Sequence, residues 1–463
     1  MIRRTHIGWV VFASALCLSA TSAAWGKKPS EDYLQMVVKL LSNNDPEFRG
    51  AALEQVRTAD GGAATTRLFA EQLPTLSPAA QVGLLSALGD RGDAVARPAV
   101  LALYESSQDE TVRAAALSAL GQLGDSADLL PLLVRALGSK SPAEQAAARR
   151  SLTTMRGDTV TQAIAQQMPS AEPAQKAALI EVLAARWARK EVPAFLTAAV
   201  DDSSPVRTAA MAALGQLANS SQIAAMLPGV LKAAKGAERD AAEKDVALVC
   251  SRINDDGERA TALIRSLDTI DTAQRDQLLG LMGRVGGKKL IKFVADIATC
   301  DDPVRRKLGI DALSKWPDAS VADQLLDIAE KTKDPAERTQ AFQGFVKISA
   351  ARDKRSDKQR LDRMKQAMKE ARTPAEQTLV INRSRTAYDV DTLRFVLPYV
   401  DDPQFAQTAC ETIVELAHHR EIRDPNKAEF DKALDKLIAT SKDPVVVDRA
   451  RRYQRGETWE RAG

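Results

Sequence analysis

Residues 108–121 read QDETVRAAALSALG, and residues 203–215, which follow Asp202, repeat the pattern as SSPVRTAAMAALG. In both copies a polar turn precedes an arginine and a run rich in alanine and leucine. Aspartate or serine at such a turn is typical of a helix N-cap, and proline is typical of the first helical turn. The apolar positions of the first copy follow one helix face: Val112, Ala116, Leu117, Leu120 and Leu123. We therefore predict an amphipathic helix that begins at the turn and ends at Gly121 and Gly124.

The same pattern recurs along the chain, and its turn prolines give the period. They stand at positions 46, 78, 142, 173, 205, 303, 335, 374, 403 and 444. Glu110 replaces the missing proline between positions 78 and 142, and we place two further units with altered turns near Ala237 and Thr272. The mean step is then about 33 residues, and a fixed period of this length predicts a stacked array of small helical units.

Each unit has room for two helices, of which the second begins at the turn. No segment shows the sustained alternation of a strand. We predict an all-α fold, a right-handed α-solenoid of about 12–13 helix pairs, because one pair cannot bury its apolar stripe without its neighbours. This array would occupy residues 27–455, with residues 456–463 as a C-terminal tail.

The pattern Asp-Pro-x-Val-Arg-x-x-Ala-x-x-Ala-Leu-Gly resembles HEAT repeats of the short bacterial, PBS-lyase-like type, over roughly residues 34–455. The resemblance implies the fold and says little about function, because such arrays serve many unrelated tasks. It also implies that turn aspartates and arginines form a structural ladder of Asp–Arg contacts between repeats. The ladder residues would be Asp109, Arg113, Asp202, Arg207, Asp302, Arg305, Asp334 and Arg338.

Residues 1–26 predict a secretory signal peptide. A short basic head precedes an uncharged apolar run, residues 9–20, that is too short to span a bilayer. Small residues follow, and they suit cleavage near Ala24 or Gly26. We therefore expect an exported protein, periplasmic or extracellular, without further membrane association. An uncleaved membrane anchor is the alternative.

Composition excludes several classes of protein. A chain of 463 residues that is 45% hydrophobic and 27% charged is neither disordered nor a polytopic membrane protein. Its 3 histidines and 4 cysteines argue against multi-histidine metal sites and a dense disulfide scaffold. A net charge of +3 and 4% aromatic residues do not indicate a nucleic-acid partner. We predict no cofactor and no bound metal.

Three cysteines follow the leader. Cys250 and Cys410 lie on apolar helical faces, and the third is Cys300. Small buried thiols are the favoured interpretation. A Cys250–Cys300 disulfide is the alternative, since pairing cannot be deduced from sequence.

The sequence offers little catalytic chemistry. The adjacent His418 and His419 would diverge by about 100° on a helix, which does not suit a shared metal. Residues 254–258 (NDDGE) lack the alternating acidic pattern of a calcium loop and predict an inter-helix turn. No phosphate-binding loop or nucleophile motif is present in the sequence. We predict that the protein is not an enzyme.

Residues 350–372 carry nine lysines and arginines against four acidic residues. One interpretation is a long, solvated first helix with internal ion pairs. The other is a basic patch for an anionic partner. The candidate anion-patch residues are Arg352, Lys354, Arg355, Lys358, Arg360, Arg363 and Lys365.

These observations favour an exported, non-enzymatic scaffold or adaptor that binds a protein partner along the concave face of the array. One alternative is binding of an anionic polymer or lipid surface through residues 350–372. The other is a lyase or hydrolase activity in the groove, which would require titratable residues clustered around one pocket.

Overall fold

The computed structural model describes residues 31–43, 45–123, 127–267 and 270–459, which form helices, turns and loops with no strand among them. The predicted signal peptide lies outside these residues. The chain divides into an N-terminal unit, Met1–Ala213, and a C-terminal unit, Leu214–Gly463. Among the described helices, none combines the length and apolar character needed to cross a membrane.

The N-terminal unit alternates first and second helices. Its first helices are α1 (Glu31–Leu41), α3 (Gly62–Ala70), α5 (Arg97–Ser106), α7 (Leu130–Leu137), α9 (Asp158–Gln167) and α11 (Val192–Ala198). Its second helices are α2 (Pro46–Thr58), α4 (Pro78–Arg91), α6 (Glu110–Gln122), α8 (Pro142–Thr154), α10 (Pro173–Ala185) and α12 (Ser204–Leu217), the last of which runs across the division. From α2 to α10 the second helices pack on one another in order.

The C-terminal unit continues the same alternation. Its first helices are α13 (Ile223–Lys232), α15 (Asp256–Leu267), α18 (Lys288–Ala298), α20 (Ala322–Lys331), α22 (Asp357–Glu370), α24 (Val390–Val396) and α27 (Lys427–Thr440), which the short α26 (Arg420–Arg423) precedes. Its second helices are α14 (Ala237–Ser251), the broken α16–α17 (Thr272–Gln277 and Leu279–Val285), α19 (Pro303–Leu313), α21 (Pro335–Ser349), α23 (Pro374–Ser384), α25 (Ala406–His418) and α28 (Pro444–Gln454). From α14 to α25 the second helices again pack in sequence order.

The described residues thus contain thirteen helix pairs, which confirms the predicted all-α solenoid and its number of repeats. Second helices begin at Glu110, Ala237 and Thr272, as placed from the period. The prediction is wrong at Pro403, because α25 begins only at Ala406. There the carbonyl of Asp402 accepts the N–H groups of Phe405 and Ala406, while the Phe405 side chain is buried in the core.

Aspartate side chains fix the beginnings of several second helices. Asp109 Oδ1 accepts the backbone N–H groups of Thr111 and Val112 at 2.8 and 3.1 Å. These bonds satisfy donors that a helix start leaves unpaired. The pKa of Asp109 is lowered, first by the Thr111 hydroxyl and then by the two backbone N–H groups. Asp302 and Asp334 cap their helices in the same way.

The glycine of the Ala-Leu-Gly motif lies near the end of the second helix, close to the next one. Gly121 lies inside α6, and a Cβ built there would stand 2.4 Å from the Cβ of Ser151 on α8. A Cβ built on Gly283 of α17 would stand closer still, 2.0 Å from the carbonyl oxygen of Ala312 on α19. The helix α6 ends at Gln122, one residue after Gly121, so the predicted end is confirmed to within one residue. The glycine itself also marks a point where successive second helices pack closely. Gly124 lies outside the described residues.

Arginines near the ends of second helices tie consecutive repeats together. Arg91 donates to the carbonyls of Val56 and Ala59, at 2.6 and 2.9 Å. Arg186 donates to the carbonyls of Leu152 and Met155, at 2.8 and 2.5 Å. In each case the guanidinium satisfies carbonyls that the end of the preceding second helix leaves free. This contact, which recurs at the ends of α4 and α10, was not predicted from the sequence.

Trp187 adopts the left-handed backbone conformation, with φ of 57°. It follows α10 at the position that Gly92, with φ of 67°, takes after α4. Its N–H bonds to the carbonyl of Ala184, and the N–H of Ala188 bonds to that of Leu183, as in a helix end that normally requires glycine. The indole is 59% exposed, with the Arg189 guanidinium 5.8 Å from its ring centre.

We expect Trp187→Gly to stabilise the protein by about 0.5–1 kcal/mol. The left-handed conformation costs about 1–2 kcal/mol for a residue with a Cβ, and an exposed cation–π contact returns about 0.5–1 kcal/mol. Urea unfolding measures the change. Gly92→Ala is the matched control and should destabilise, and a lower stability of Trp187→Gly would show that the indole makes further contacts.

Candidate functional site

Three adjoining cavities of the C-terminal unit form one groove along its second helices. Their volumes are 630, 1020 and 490 Å³, and they lie along α14 to α19, α19 to α21, and α21 to α23. The first two share Leu308 and Asp311, and the last two share Thr339 and Gln343. We call this continuous surface the groove.

At the α14 end, the groove holds a cluster of ion pairs. Glu243 of α14 is 4% exposed, and its Oε2 lies 3.3 Å from Arg284 Nε and 3.4 Å from Lys315 Nζ. Arg284 also contacts Asp240, and Lys315 lies 2.9 Å from Asp311 Oδ2. Burial raises the pKa of Glu243 although Lys315 opposes it. The pairs join α14 to the ends of α17 and α19, so they connect three consecutive repeats.

The middle of the groove exposes two aliphatic side chains. Val304 and Leu308 stand one turn apart on α19 and are 70% and 39% exposed. Both side chains line the second cavity. Paired aliphatic side chains that stay exposed within a groove are typical of a docking surface.

The third cavity is cationic. Lys347 of α21 and Arg383 of α23 line it together with Thr339, Thr373 and Gln343. The pKa of Lys347 is lowered, first by desolvation between the groove walls and then by the positive Arg284. The Arg383 Nε atom is buried and has no hydrogen-bond partner among the described residues.

The predicted ladder residues are present between repeats, but their partners differ from the prediction. Arg113 Nε pairs with Glu144 Oε1 on the next second helix at 2.7 Å, while Asp109 caps its own helix. Arg207 donates to the backbone carbonyls of Asp201 and Asp202 at 2.7 and 2.8 Å. A cap aspartate is occupied by backbone N–H groups, so the arginine reaches the glutamate one repeat further on.

The same arrangement recurs in the C-terminal unit. Arg338 pairs with Glu376 on the next second helix, whereas Asp334 caps α21. Arg305 Nε instead reaches back to Asp276 Oδ2 at 2.8 Å, and Asp302 caps α19. Two of the four ladder arginines thus form Arg–Glu contacts about one repeat apart, one pairs with an aspartate of the preceding repeat, and one bonds to backbone carbonyls.

The predicted anion patch divides into engaged arginines and exposed lysines. Arg355 pairs with Asp353 at 2.8 Å, Arg360 with Asp357 at 2.9 Å, and Arg363 with Asp323 at 2.7 Å. The remaining members are Arg352, whose guanidinium lies 4.0 Å from the centre of the Tyr388 ring, and the exposed Lys354, Lys358 and Lys365. The segment is also not one long helix, because α22 begins only at Asp357.

Cys250, Cys300 and Cys410 are free thiols. Cys250 and Cys410 are buried, as predicted, whereas Cys300 is half-buried, and the alternative disulfide is not formed. Burial raises the pKa of both buried thiols to about 11, so they are unreactive at neutral pH.

The two histidines meet aromatic partners. His418 Nδ1 lies 3.0 Å from the Tyr453 hydroxyl, and the His419 ring stacks on Tyr388 with centroids 3.8 Å apart. Within the described ranges, no group of three or more His, Cys, Asp or Glu side chains is arranged to hold a metal. Of the predicted turn at 254–258, only residues 254 and 255 lie between helices, because α15 already begins at Asp256. The Asp255 side chain accepts the N–H of Glu258 in the first turn of α15.

The cations of the groove were not predicted from the sequence, although their spacing in the sequence repeats. Arg284, Lys315 and Lys347 each stand 12 residues after the start of a second helix, at Thr272, Pro303 and Pro335. Because a basic residue occurs at the same position in three consecutive repeats, the three side chains lie in a row on the face that the second helices share. Aligning the repeats by their helix starts would have found it.

Comparison with known proteins places HEAT repeats in the N-terminal unit. The family model of HEAT repeats matches residues 66–153. No curated protein sequence matches the chain. The prediction of HEAT repeats is thus confirmed for this segment, while their PBS-lyase-like type stays a prediction.

Among solved structures, the chain is similar to Kap121p bound to Pho4p, with 14% identity and a TM-score of 0.49 over 91% of this chain and 53% of Kap121p. It is also similar to importin beta, with 12% identity and a TM-score of 0.36 over 92% and 69% of the two chains. The chain thus spans about half the length of Kap121p.

Proposed function

We propose that this protein is an exported, non-enzymatic scaffold or adaptor that docks a protein partner in the groove. The continuity of the groove across the second helices α14 to α23 carries the proposal. Its sections differ in character, with ion pairs at one end, exposed aliphatic side chains in the middle and cations at the other end. Such a surface suits an extended partner that makes many modest contacts with successive repeats.

The alternative of an enzyme in the groove predicts clustered titratable residues, and the α14 end does hold such a cluster. Its carboxylates are engaged, however: Asp240 and Glu243 with Arg284, and Asp311 with Lys315. Groups held in ion pairs between repeats stabilise the array and are poorly suited to exchanging protons with a substrate. The cluster therefore supports a structural role over acid–base catalysis.

The alternative of anionic polymer binding through residues 350–372 is weakened by the contacts of that segment. Three of its arginines already pair with carboxylates, and a fourth lies over an aromatic ring. An anionic polymer would have to displace these contacts or bind the exposed lysines alone. The groove is therefore the better candidate for partner binding.

Site-specific photo-crosslinking in cells tests the docking. A photoreactive phenylalanine analogue replaces Val304 in the groove, and a matched one replaces Phe293, which is 40% exposed on the first helix α18. We expect one dominant protein adduct when the analogue is at position 304, and we expect this adduct to be absent when the analogue is at position 293. No protein adduct at 304, or the same adducts from both positions, would contradict the proposal.

Export is tested separately by sequencing the N terminus of the protein from cell fractions. Support for export comes from the leader pattern of residues 1–26 alone. We expect a mature chain outside the cytoplasm that begins after Ala24 or Gly26. A chain found only in the cytoplasm with its leader intact would refute export and leave the docking proposal standing.

A further inference from the structure

Two cations in the third cavity of the groove have no ion-pair partner among the described residues. Lys347 projects from α21 and Arg383 from α23, and both line the same cavity of 490 Å³. The other cations of the groove differ in this respect, since Arg284 and Lys315 pair with Asp240, Glu243 and Asp311. A buried guanidinium nitrogen without an acceptor is costly unless a ligand supplies one, and Arg383 Nε is such an atom.

The surroundings concentrate positive charge at this place. Desolvation is the largest cause of the lowered pKa of Lys347. The positive charges of Arg284, Lys315 and Arg383 lower this pKa further, and Asp311 opposes them. The carboxylate in the cavity lining, Glu376, is already engaged by Arg338 and by the backbone N–H of Arg372. A bound carboxylate would therefore relieve repulsion that Asp311 offsets only in part.

We propose that Lys347 and Arg383 bind the carboxylate of an acidic side chain carried by an extended peptide segment of the partner. The inference rests on the proposed docking in the groove and adds the charge class of the docked segment. A guanidinium and an ammonium together suit a single carboxylate, which the guanidinium can receive through two parallel hydrogen bonds.

The neighbouring section of the groove decides between a peptide and a polyanion. Asp311, Asp334 and Glu337 line the second cavity next to the exposed Val304 and Leu308. The same lining holds one cation, Lys307, while Asp311 pairs with Lys315 and Glu337 with Arg306. Three carboxylates against one cation in the lining still disfavour a chain of phosphates or acidic sugars. A peptide with an apolar residue followed by one acidic residue can instead place the first against Val304 and Leu308 and the second against Lys347 and Arg383.

Second helices stack about 8–10 Å apart. Arg383 on α23 is two second helices away from Val304 and Leu308 on α19, so these positions are about 16–20 Å apart. An extended peptide spans that distance with about five or six residues, at about 3.3 Å each.

Selection from a displayed library of random twelve-residue peptides tests the inference. The purified full chain is the bait, and the Lys347→Ala/Arg383→Ala variant is used for counter-selection. We expect the enriched peptides to carry Asp or Glu about five residues from an aliphatic residue. Their affinity should fall by about tenfold or more for the double variant. Replacing the acidic residue of the peptide, as in Glu→Gln, should lower its affinity for the unaltered chain by the same factor. It should not lower its affinity for the Lys347→Ala/Arg383→Ala variant any further.

Lys369→Ala is the matched control, because it removes an exposed lysine from the first helix α22, outside the groove. It should leave peptide affinity unchanged. All variants should have the same melting temperature as the unaltered chain. The inference is overturned if nothing is enriched, if the enriched peptides are neutral or basic, or if the double variant binds them equally. Displacement of the peptides by polyphosphate at constant ionic strength would likewise overturn it in favour of a polyanion site.

The photo-crosslinking at Val304 separates this inference from the docking proposal. If the partner adduct forms at Val304 while the selected peptides show no acidic preference, docking stands and only the carboxylate site is wrong. If no adduct forms, the docking proposal itself is wrong. The same adduct formed in the Lys347→Ala/Arg383→Ala background should be reduced, because the docked segment loses its charged anchor.

Discussion

Gly283→Ala is expected to destabilise the C-terminal unit by about 3 kcal/mol or more, at the upper end of what overpacking costs. A Cβ on Gly283 would stand 2.0 Å from the carbonyl oxygen of Ala312 and 2.7 Å from its carbonyl carbon. Both atoms belong to the backbone of α19, so no side-chain rotation can make room. The helices α17 and α19 would have to separate, and the contacts between their repeats would open with them. Denaturant unfolding followed by helical circular dichroism measures the loss.

The matched control is Gly50→Ala in α2. This glycine also lies inside a second helix, but a Cβ there would meet nothing within 4 Å. Because alanine restricts the unfolded chain and favours the helix, we expect a gain of about 0.5–1 kcal/mol. The two identical changes should thus have opposite signs. A Gly283→Ala variant as stable as the unaltered chain would show that α17 and α19 do not cross as closely as described.

This difference between two glycines shows what the sequence can and cannot predict. The period, the proline turns and the aspartate caps are local features, so they located most second helices to the residue. The role of Gly121 and Gly283 depends on a neighbouring helix about one repeat away, and a local rule for glycine assigned Gly121 to a helix end. At Pro403 a local rule failed, because burial of Phe405 delays the helix.

The candidate site was less predictable than the fold. Residues 350–372 are the densest basic segment of the sequence and were therefore predicted as a candidate anion patch. Three of its arginines form ion pairs, however, and one partner, Asp323, is distant in the sequence. Lys347 and Arg383 stand apart in the sequence and meet only because successive second helices share one face. Charge density along the chain is therefore a poor guide to uncompensated charge on a stacked surface.

Glu376→Ala is expected to cost about 3–5 kcal/mol, the usual range for removing one member of a buried ion pair. Glu376 is 4% exposed and pairs with Arg338, whose side chain is 12% exposed. Its carboxylate also accepts the N–H groups of Arg372 and Thr373 at the start of α23. The change therefore leaves a buried guanidinium without its charge partner and removes acceptors from a helix start. Native-state hydrogen exchange of the amides in α21 and α23 should locate the loss in these two repeats.

Two companion variants test the cause of this loss. Asp90→Ala breaks the ion pair of Arg57 and Asp90, whose side chains are 32% and 45% exposed, so it should cost about 0–1 kcal/mol. Adding Arg338→Met to Glu376→Ala removes the stranded charge and should recover part of the stability, because an apolar side chain tolerates the buried site. If the double variant is less stable than Glu376→Ala alone, the contact of the Arg338 guanidinium with the Phe342 ring, at 5.5 Å, matters more than its unpaired charge. The inter-repeat Arg–Glu pairs would then act through packing, and the ion-pair account of this ladder would be wrong.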